Sequence, residues 1–304
     1  AMTNGALSVS GFAKRRAGYE PYLHEFGHIP PAYCYRCWYG KEEGKCNFEC
    51  AQALENEIMN QGTDAVAAFI MEPVSGMSLC AAAPPAGYFQ EIRRICDKYD
   101  VLLMVDEVMS GVGRTGIPFA YQRYGIKPDV ITMGKALSGG YFPLAAVGIT
   151  EAMYKSMDEN GGNFPPGFSW SASPLGAAVG IAALDYLKDH KLIEQCAARG
   201  EYLKAKLQVL KDKHPTIGDV RGMGLMIGIE LVKDKATKEC FPASVGYSGQ
   251  VADECLRQNM LIESSAGCNK GTSGDTLMLA PAFVVSEAEI DKIVDRLDGV
   301  LTIV

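Results

Sequence analysis

Long hydrophobic runs, blocks of like charge and compact histidine patterns are all missing from this 304-residue sequence. No uninterrupted apolar stretch approaches the ~20 residues of a membrane-spanning helix, so no membrane association is expected. Lysine plus arginine number 29 against 36 for aspartate plus glutamate, a net charge of -7 with no basic block, and a nucleic-acid role has little support. The N-terminus shows no charged segment followed by an apolar core and cleavage site, which reads as a cytoplasmic protein. The four histidines, His24, His28, His190 and His214, form no HExxH or other compact ligand set, and none is assigned to catalysis. Internal repeats and low-complexity tracts are also lacking.

What is present is a globular composition, 48% hydrophobic and 21% charged, long enough for one large domain and a smaller one. The organising stretch runs from Val101 to Tyr141. Its VLLMV run is short for a helix, suits a buried strand and stops on two acids, Asp106 and Glu107. A second run, DVITM, ends one residue before Lys135. Between them Gly111, Gly113 and Gly116 permit tight backbone geometry. If both runs lie in one parallel sheet, Asp106 and Lys135 share the mouth at which open α/β sheets bind ligands.

Strand and helix patterns alternate around this stretch: strands at 65–71, 101–105, 130–133 and 144–150, helices at 88–98, around 117–124 and at 151–158. That is the grammar of a mostly parallel, helix-covered sheet. Residues 11–62 read as an irregular excursion followed by a helix near Ala51–Gln61. The alanine-rich run from Leu175 to Leu187 is almost wholly apolar and is expected to be a buried helix, with an amphipathic successor over 191–213. VRGMGLMIGIEL carries a strand, 247–260 a helix, TLMLAPAF a strand or extended segment and 286–301 a final helix, a smaller α+β domain. The expected division is 1–205 for a large domain and 206–304 for the small one.

Several motifs occur in one order: EPVSG, PPAGYFQEIRRICDKYDVLLMVDEVMSGVGRTG, KPDVITMGKALSGGYFPLAAVG, SWSASPLGAA, RGMGLMIGIEL and APAFVVSEAEID. With them the chain resembles the class III aminotransferases, pyridoxal 5'-phosphate enzymes of fold type I. GALSVSG and AYCYRCW resemble one branch of that family. The resemblance implies that Lys135 forms the internal aldimine with the cofactor and moves the substrate α-proton. It implies that Asp106 pairs with the pyridine nitrogen, and that Val108 presses against the ring. Met109 stands where a glutamine is frequent near the cofactor's phenolic oxygen, and a methionine cannot donate that hydrogen bond. Glu72 matches an acid facing the substrate region, with a solvent-facing strand-end acid as the alternative. Arg114, in the GVGRTG turn, either positions the loop or touches substrate.

Ser169 stands where the family often has a threonine whose hydroxyl reaches the cofactor phosphate of a neighbouring subunit, which implies a homodimer with composite sites. Pro166 replaces a frequent histidine just before it. After Lys135, Ser138, Gly139 and Gly140 read as turn residues, the serine within reach of phosphate. Family members normally carry an upstream segment with a phosphate-cradling loop at a helix start. No counterpart precedes GALSVSG, so the expectation is an N-terminally incomplete copy. The implied reaction moves an amino group from a primary amine or ω-amino acid to a 2-oxo acid. An aminomutase, a decarboxylating transaminase and a non-catalytic homologue that dimerises or binds a partner are the alternatives.

Ten cysteines complete the inventory. Six are scattered and read as buried thiols. Cys34, Cys37, Cys46 and Cys50 form a cluster whose two close pairs are compatible with tetrahedral zinc, with packed or redox-sensitive thiols the favoured reading. No catalytic metal is expected.

Overall fold

The computed structural model describes residues 3–162 and 167–304, so Pro166 lies outside the described residues. Two short helices, α1 (Asn4–Val9) and α2 (Ala13–Arg16), open the chain, and single helical turns at Glu20–Tyr22 and Cys34–Arg36 interrupt the irregular segment after them. Helix α3 (Glu49–Gln61) follows, burying Ala51, Leu54 and Ile58 at helical spacing. Strand β1 (Ala68–Met71), helix α4 (Tyr88–Lys98), β2 (Leu102–Asp106), β3 (Val130–Met133) and β4 (Ala146–Ile149) then build the first sheet, in the order β1-β2-β3-β4. The first three strands are parallel and β4 is antiparallel to β3, so the expected mostly parallel sheet is present.

One face of this sheet is well covered. Phe89, Ile92, Ile95 and Cys96 of α4 pack with Leu54 and Ile58 of α3 against Leu103 and Val105 of β2. The predicted helix around 117–124 is only a 3-10 turn at Ala120–Tyr124. Helices α5 (Glu151–Glu159) and α6 (Pro174–Asp189) lie where the pattern placed them. The expected burial of α6 is not observed: only Gly176, Gly180 and Leu187 are buried, while Leu175 and Ile181 remain 63% and 61% exposed. Composition reports that a helix suits an apolar setting; it does not say which element supplies that setting.

Helix α7 (Leu192–Lys213) leads into a second sheet built from β5 (Ile217–Met223), β6 (Met226–Leu231), β7 (Glu263–Asn269) and β8 (Ser273–Leu279), all antiparallel, in the order β5-β6-β8-β7. Helices α8 (Tyr247–Arg257) and α9 (Glu287–Ile303) cover it, the latter started by a Ser286–Glu289 capping box. Cys196, Leu203, Leu207 and Leu210 of α7 belong to this second core, and α7 runs unbroken through residue 205. The RGMGLMIGIEL motif makes two strands rather than one, joined by a tight hairpin at Gly224 and Leu225. Strand β7 escapes the sequence pattern because ESSAGCN has small and polar residues where alternating apolar ones are sought. Among the described residues no helix is long and apolar enough to cross a membrane.

Two contacts fasten the sheets together. At the hairpin, Gly224 adopts a φ of +54°, and a Cβ there would come within 2.5 Å of the Thr115 carbonyl carbon and 2.6 Å of the Gly116 nitrogen. On the other side, Glu230 of β6 is fully buried and accepts hydrogen bonds from Tyr33, from the Arg36 guanidinium and, at 3.0 Å, from Arg221 Nη1. Arg221 also donates to the carbonyls of Leu79 and Cys80 at 2.7 and 2.9 Å. Burial raises the Glu230 carboxyl from an ordinary 4.5 to about 8, opposed by a hydrogen bond with Cys268 and the charge of Lys238, while the Arg36 and Arg221 guanidiniums lie beside it.

The Gly224→Ala substitution is expected to lower folding stability by about 1–3 kcal/mol, because the obstructing atoms are backbone and cannot rotate away. Chemical denaturation checks this, with Gly249→Ala on an open helix surface as the control. Equal midpoints for the two variants would show that the hairpin does not seat against the loop.

Candidate active site

Parallel pairing sets the site. Met71 lies opposite Val105 and Asp106 opposite Thr132, so β1, β2 and β3 end along one edge. Glu72 follows the last residue of β1, Asp106 is the last residue of β2, and Lys135 lies just beyond β3. Three charged side chains from three strands thus meet at the carboxyl end of the sheet, where ligands bind in such folds. Their mutual influence is visible at Glu72. Burial is the main reason its carboxyl is raised from an ordinary 4.5 to about 7; the negative charge of Asp106 adds to the rise, while the Gly76 N–H and the Lys135 ammonium oppose it.

Each acid is held by its own contacts. The Gly76 N–H donates to Glu72 Oε1 at 2.9 Å, and the Val108 N–H donates to Asp106 Oδ1 at 2.9 Å, a local turn that orients the carboxylate. Glu107 serves another purpose. It is fully buried and accepts the Tyr121 N–H at 2.8 Å and the Ser110 hydroxyl at 2.6 Å, fixing the loop that follows β2. Adjacent residues of a strand end face opposite ways, so one acid of the pair serves the site and the other its scaffold.

Lys135 has a φ of 47° and an exposed side chain. A non-glycine residue in the left-handed region costs of order 1–3 kcal/mol and persists only where the surroundings impose it. Val108 lines the approach: a Cβ on Gly134 would lie 3.4 Å from Val108 Cγ1. Met109 stands in the same wall as Glu72, for a Cβ on Gly76 would meet Glu72 Oε1 at 2.8 Å and Met109 Sδ at 3.2 Å. Gly76 was not singled out in the sequence; its EPVSG context held the signal, but the need for a bare backbone appears only when β1 and β2 are paired. Thr132 was missed for the same reason. Among the described residues its hydroxyl is buried without a hydrogen-bond partner, in register with Asp106.

Other expected residues are placed elsewhere or differently. Arg114 positions the loop rather than facing substrate: its guanidinium donates to the carbonyls of Leu225 and Pro281 at 3.1 and 2.6 Å and lies over the Phe283 ring. The Ser138 hydroxyl donates to the Phe142 carbonyl at 2.6 Å, which fixes the turn and occupies its proton. Ser169 is exposed in the turn before α6, and no hydrogen bond among the described residues joins it to Glu72, Asp106 or Lys135. Cys34, Cys37, Cys46 and Cys50 line one small pocket with Tyr39 and Pro85, yet among the described residues no three His, Cys, Asp or Glu are placed to hold a metal ion. Burial, reinforced by neighbouring Glu43 and the other thiols, pushes Cys34 up to about 12, and burial takes Cys50 to about 11, so neither is a ready nucleophile.

The raised Glu72 carboxyl has a signed consequence. Between pH 4.5 and 7 the folded protein keeps a proton that the unfolded chain releases, so stability present below 4.5 is lost as the pH rises through about 7. Unfolding of wild type and Glu72→Gln by denaturant at several pH values should show the wild type losing about 2–3 kcal/mol more than the variant across that window. Parallel curves would mean that Glu72 is not held in this environment.

Comparison with known proteins places the site in a family. The family model for class-III aminotransferases matches residues 2–301. An uncharacterized aminotransferase of Schizosaccharomyces pombe is 36% identical over 98% of this chain, which spans 65% of that protein. A hypotaurine/taurine–pyruvate aminotransferase of Paracoccus denitrificans is 37% identical over 99% of this chain, again with 65% of the relative spanned. Among solved structures, a Bacillus anthracis aminotransferase superposes with a TM-score of 0.91 at 31% identity, covering 100% of this chain and 67% of its own. The chain therefore spans about two thirds of the length of its relatives, and over that length, from the Lys135 turn to the small-domain sheet, it belongs to the class III aminotransferase family.

Proposed function

We propose that this chain carries the catalytic core of a pyridoxal 5'-phosphate-dependent aminotransferase that moves an amino group from a primary amine or ω-amino acid to a 2-oxo acid. The observation that supports this reading most directly is the meeting of Glu72, Asp106 and Lys135 at the ends of three neighbouring strands. The residues fit the ring end of the family's cofactor: an exposed amine, a carboxylate oriented by its own turn, and a buried Thr132 hydroxyl that has no partner among the described residues. When bound, the cofactor supplies an electron sink that stabilises the carbanion left as the substrate α-proton departs.

The protein's own groups do the rest. Lys135 would hold the cofactor through its amine, and that amine would take the substrate α-proton and return it as a general base and acid. Asp106 would pair with the cofactor's ring nitrogen and keep a proton on it, and Val108 would present an apolar wall that excludes water. Glu72, whose carboxyl burial raises to about 7, would hold or release a proton on the substrate side of the site. Glu107 and Arg114 keep the loop between β2 and β3 from shifting these groups. Ser169 is assigned to the cofactor phosphate of a second copy, in a homodimer with shared sites. The names of the taurine–pyruvate relatives support a small amine donor and a 2-oxo acid acceptor here.

Borohydride reduction of the protein mixed with pyridoxal phosphate tests the reading. Peptide mass spectrometry is expected to place the label on Lys135 in preference to the other lysines, with Lys135→Ala unlabelled there and Asp106→Ala labelled several-fold less. Labelling spread evenly over surface lysines would refute the assignment.

A further inference from the structure

The segment from Cys34 to Cys50 is anchored at both ends and loose in the middle. At its start Tyr33 and Arg36 are tied to Glu230, and Lys238 Nζ donates to the Tyr35 carbonyl at 2.8 Å. At its end Cys50 lies in the first turn of α3, and the Phe48 ring occupies the space over Gly87, where a Cβ would come within 2.6 Å of Phe48 Cζ. Between these anchors the chain reverses through two turns. The Gly40 N–H donates to the Cys37 carbonyl at 3.2 Å, and the Lys45 N–H to the Glu42 carbonyl at 3.1 Å. Every residue from 38 to 45 is exposed, and none belongs to a hydrophobic core among the described residues. What holds this excursion is a set of surface contacts: Lys41 with Glu49 at 3.7 Å, Lys45 with Glu42 at 2.6 Å, and Lys270 over the Trp38 ring. Such pairs contribute little each. A loop of this kind is stabilised most by a cross-link at its base, which removes chain entropy from the unfolded state.

A cysteine stands on each side of that base. Cys37 and Cys46 bracket the exposed residues, both are half-buried free thiols, and both line the same pocket. We propose that Cys37 and Cys46 form a reversible disulfide by exchange with a small-molecule disulfide, a thiol–disulfide site separate from the Lys135 centre. Cys34 and Cys50 line the pocket as well, but burial above all holds their protons, up to about 12 and about 11, and exchange requires a thiolate. In the first step the thiolate of one cysteine attacks a sulfur of the reagent, and one reagent thiolate leaves with the electron pair. In the second the other cysteine, as its thiolate, attacks the protein-bound sulfur and expels the remaining reagent thiolate. The reagent's S–S bond is broken and a Cys37–Cys46 bond is formed; two protein thiols are oxidised, the reagent is reduced to two thiols, and these carry off the two protons. The bond joins the segment fastened to the second sheet through Arg36 to the segment that begins α3, so closing it tightens the contact between the loop and both parts of the fold.

The experiment treats the purified chain with excess oxidised glutathione, alkylates the remaining thiols and maps the peptides by mass spectrometry. The expected product joins Cys37 to Cys46 with the loss of two hydrogens, leaves Cys34 and Cys50 alkylated, and is reversed by dithiothreitol. The oxidised protein should melt about 3–6 °C higher, and trypsin should cut at Lys41 and Lys45 about 10-fold more slowly. Cys37→Ser and Cys46→Ser should each abolish both changes and leave the surviving thiol as a mixed disulfide with glutathione, whereas Cys34→Ser should keep them. The peptide map of the wild type stands whether or not the variants fold. Cys37 and Cys46 still open to alkylation after the treatment would overturn the proposal, as would a bond from either of them to Cys34 or Cys50. One zinc per chain in protein purified without a metal-affinity tag would also overturn it, because the metal would claim all four thiols. None of these readouts involves pyridoxal phosphate, so their outcome is separate from the Lys135 labelling that tests the enzymatic reading.

Discussion

The structure turns on a close backbone contact. The hairpin between β5 and β6 brings Gly224 against Thr115 and Gly116, in the loop that follows β2, at distances a side chain would forbid. The same loop sends Arg114 to the carbonyls of Leu225 and Pro281, so its course is set by the second sheet as well as the first. Because Asp106, Val108 and Met109 begin that loop, the geometry of the site depends on how the two sheets are seated. Glu107 completes the arrangement from within, tying the loop to the turn at Ala120–Tyr124. A site assembled this way is positioned by backbone contacts that have little freedom to relax.

Charge is distributed in keeping with this division. The buried acid Glu230 faces two guanidiniums and a phenol, and the group stitches the early segment around Tyr33 and Arg36 to the second sheet. Such a cluster costs desolvation and stabilises mainly by specifying which groups must meet. A second raised acid lies at the site. Glu72 sits beside another carboxylate and a single lysine, and its carboxyl is raised toward neutrality. Both acids are raised by burial, Glu230 among hydrogen-bond donors far from the strand ends and Glu72 at the mouth of the first sheet.

The open face of α6 and β4 bears on both points. The first sheet is well covered on the side of α3 and α4 and exposed on the side nearest the Lys135 turn. The ring end of the site is therefore built from the better-packed part of the molecule, while its other wall borders the apolar surface.

Much of this was legible in the residues themselves. Lys135, Asp106 and Val108 sit in contiguous motifs, and each motif joins a strand to the turn it feeds, so local sequence carries both identity and position. The buried stripe of α4 was equally readable, since helical spacing alone selects Phe89, Ile92, Ile95 and Cys96. Tertiary structure alone decided the rest. It split Asp106 from Glu107 in role, gave Arg114 to the loop and made Gly76 and Gly224 indispensable, because those outcomes depend on partners far away in the chain. It also left α6 exposed. An apolar sequence by itself determines that a surface should be covered, but only the packing of whole elements decides what covers it, since burial is a property of two surfaces and a sequence segment describes one.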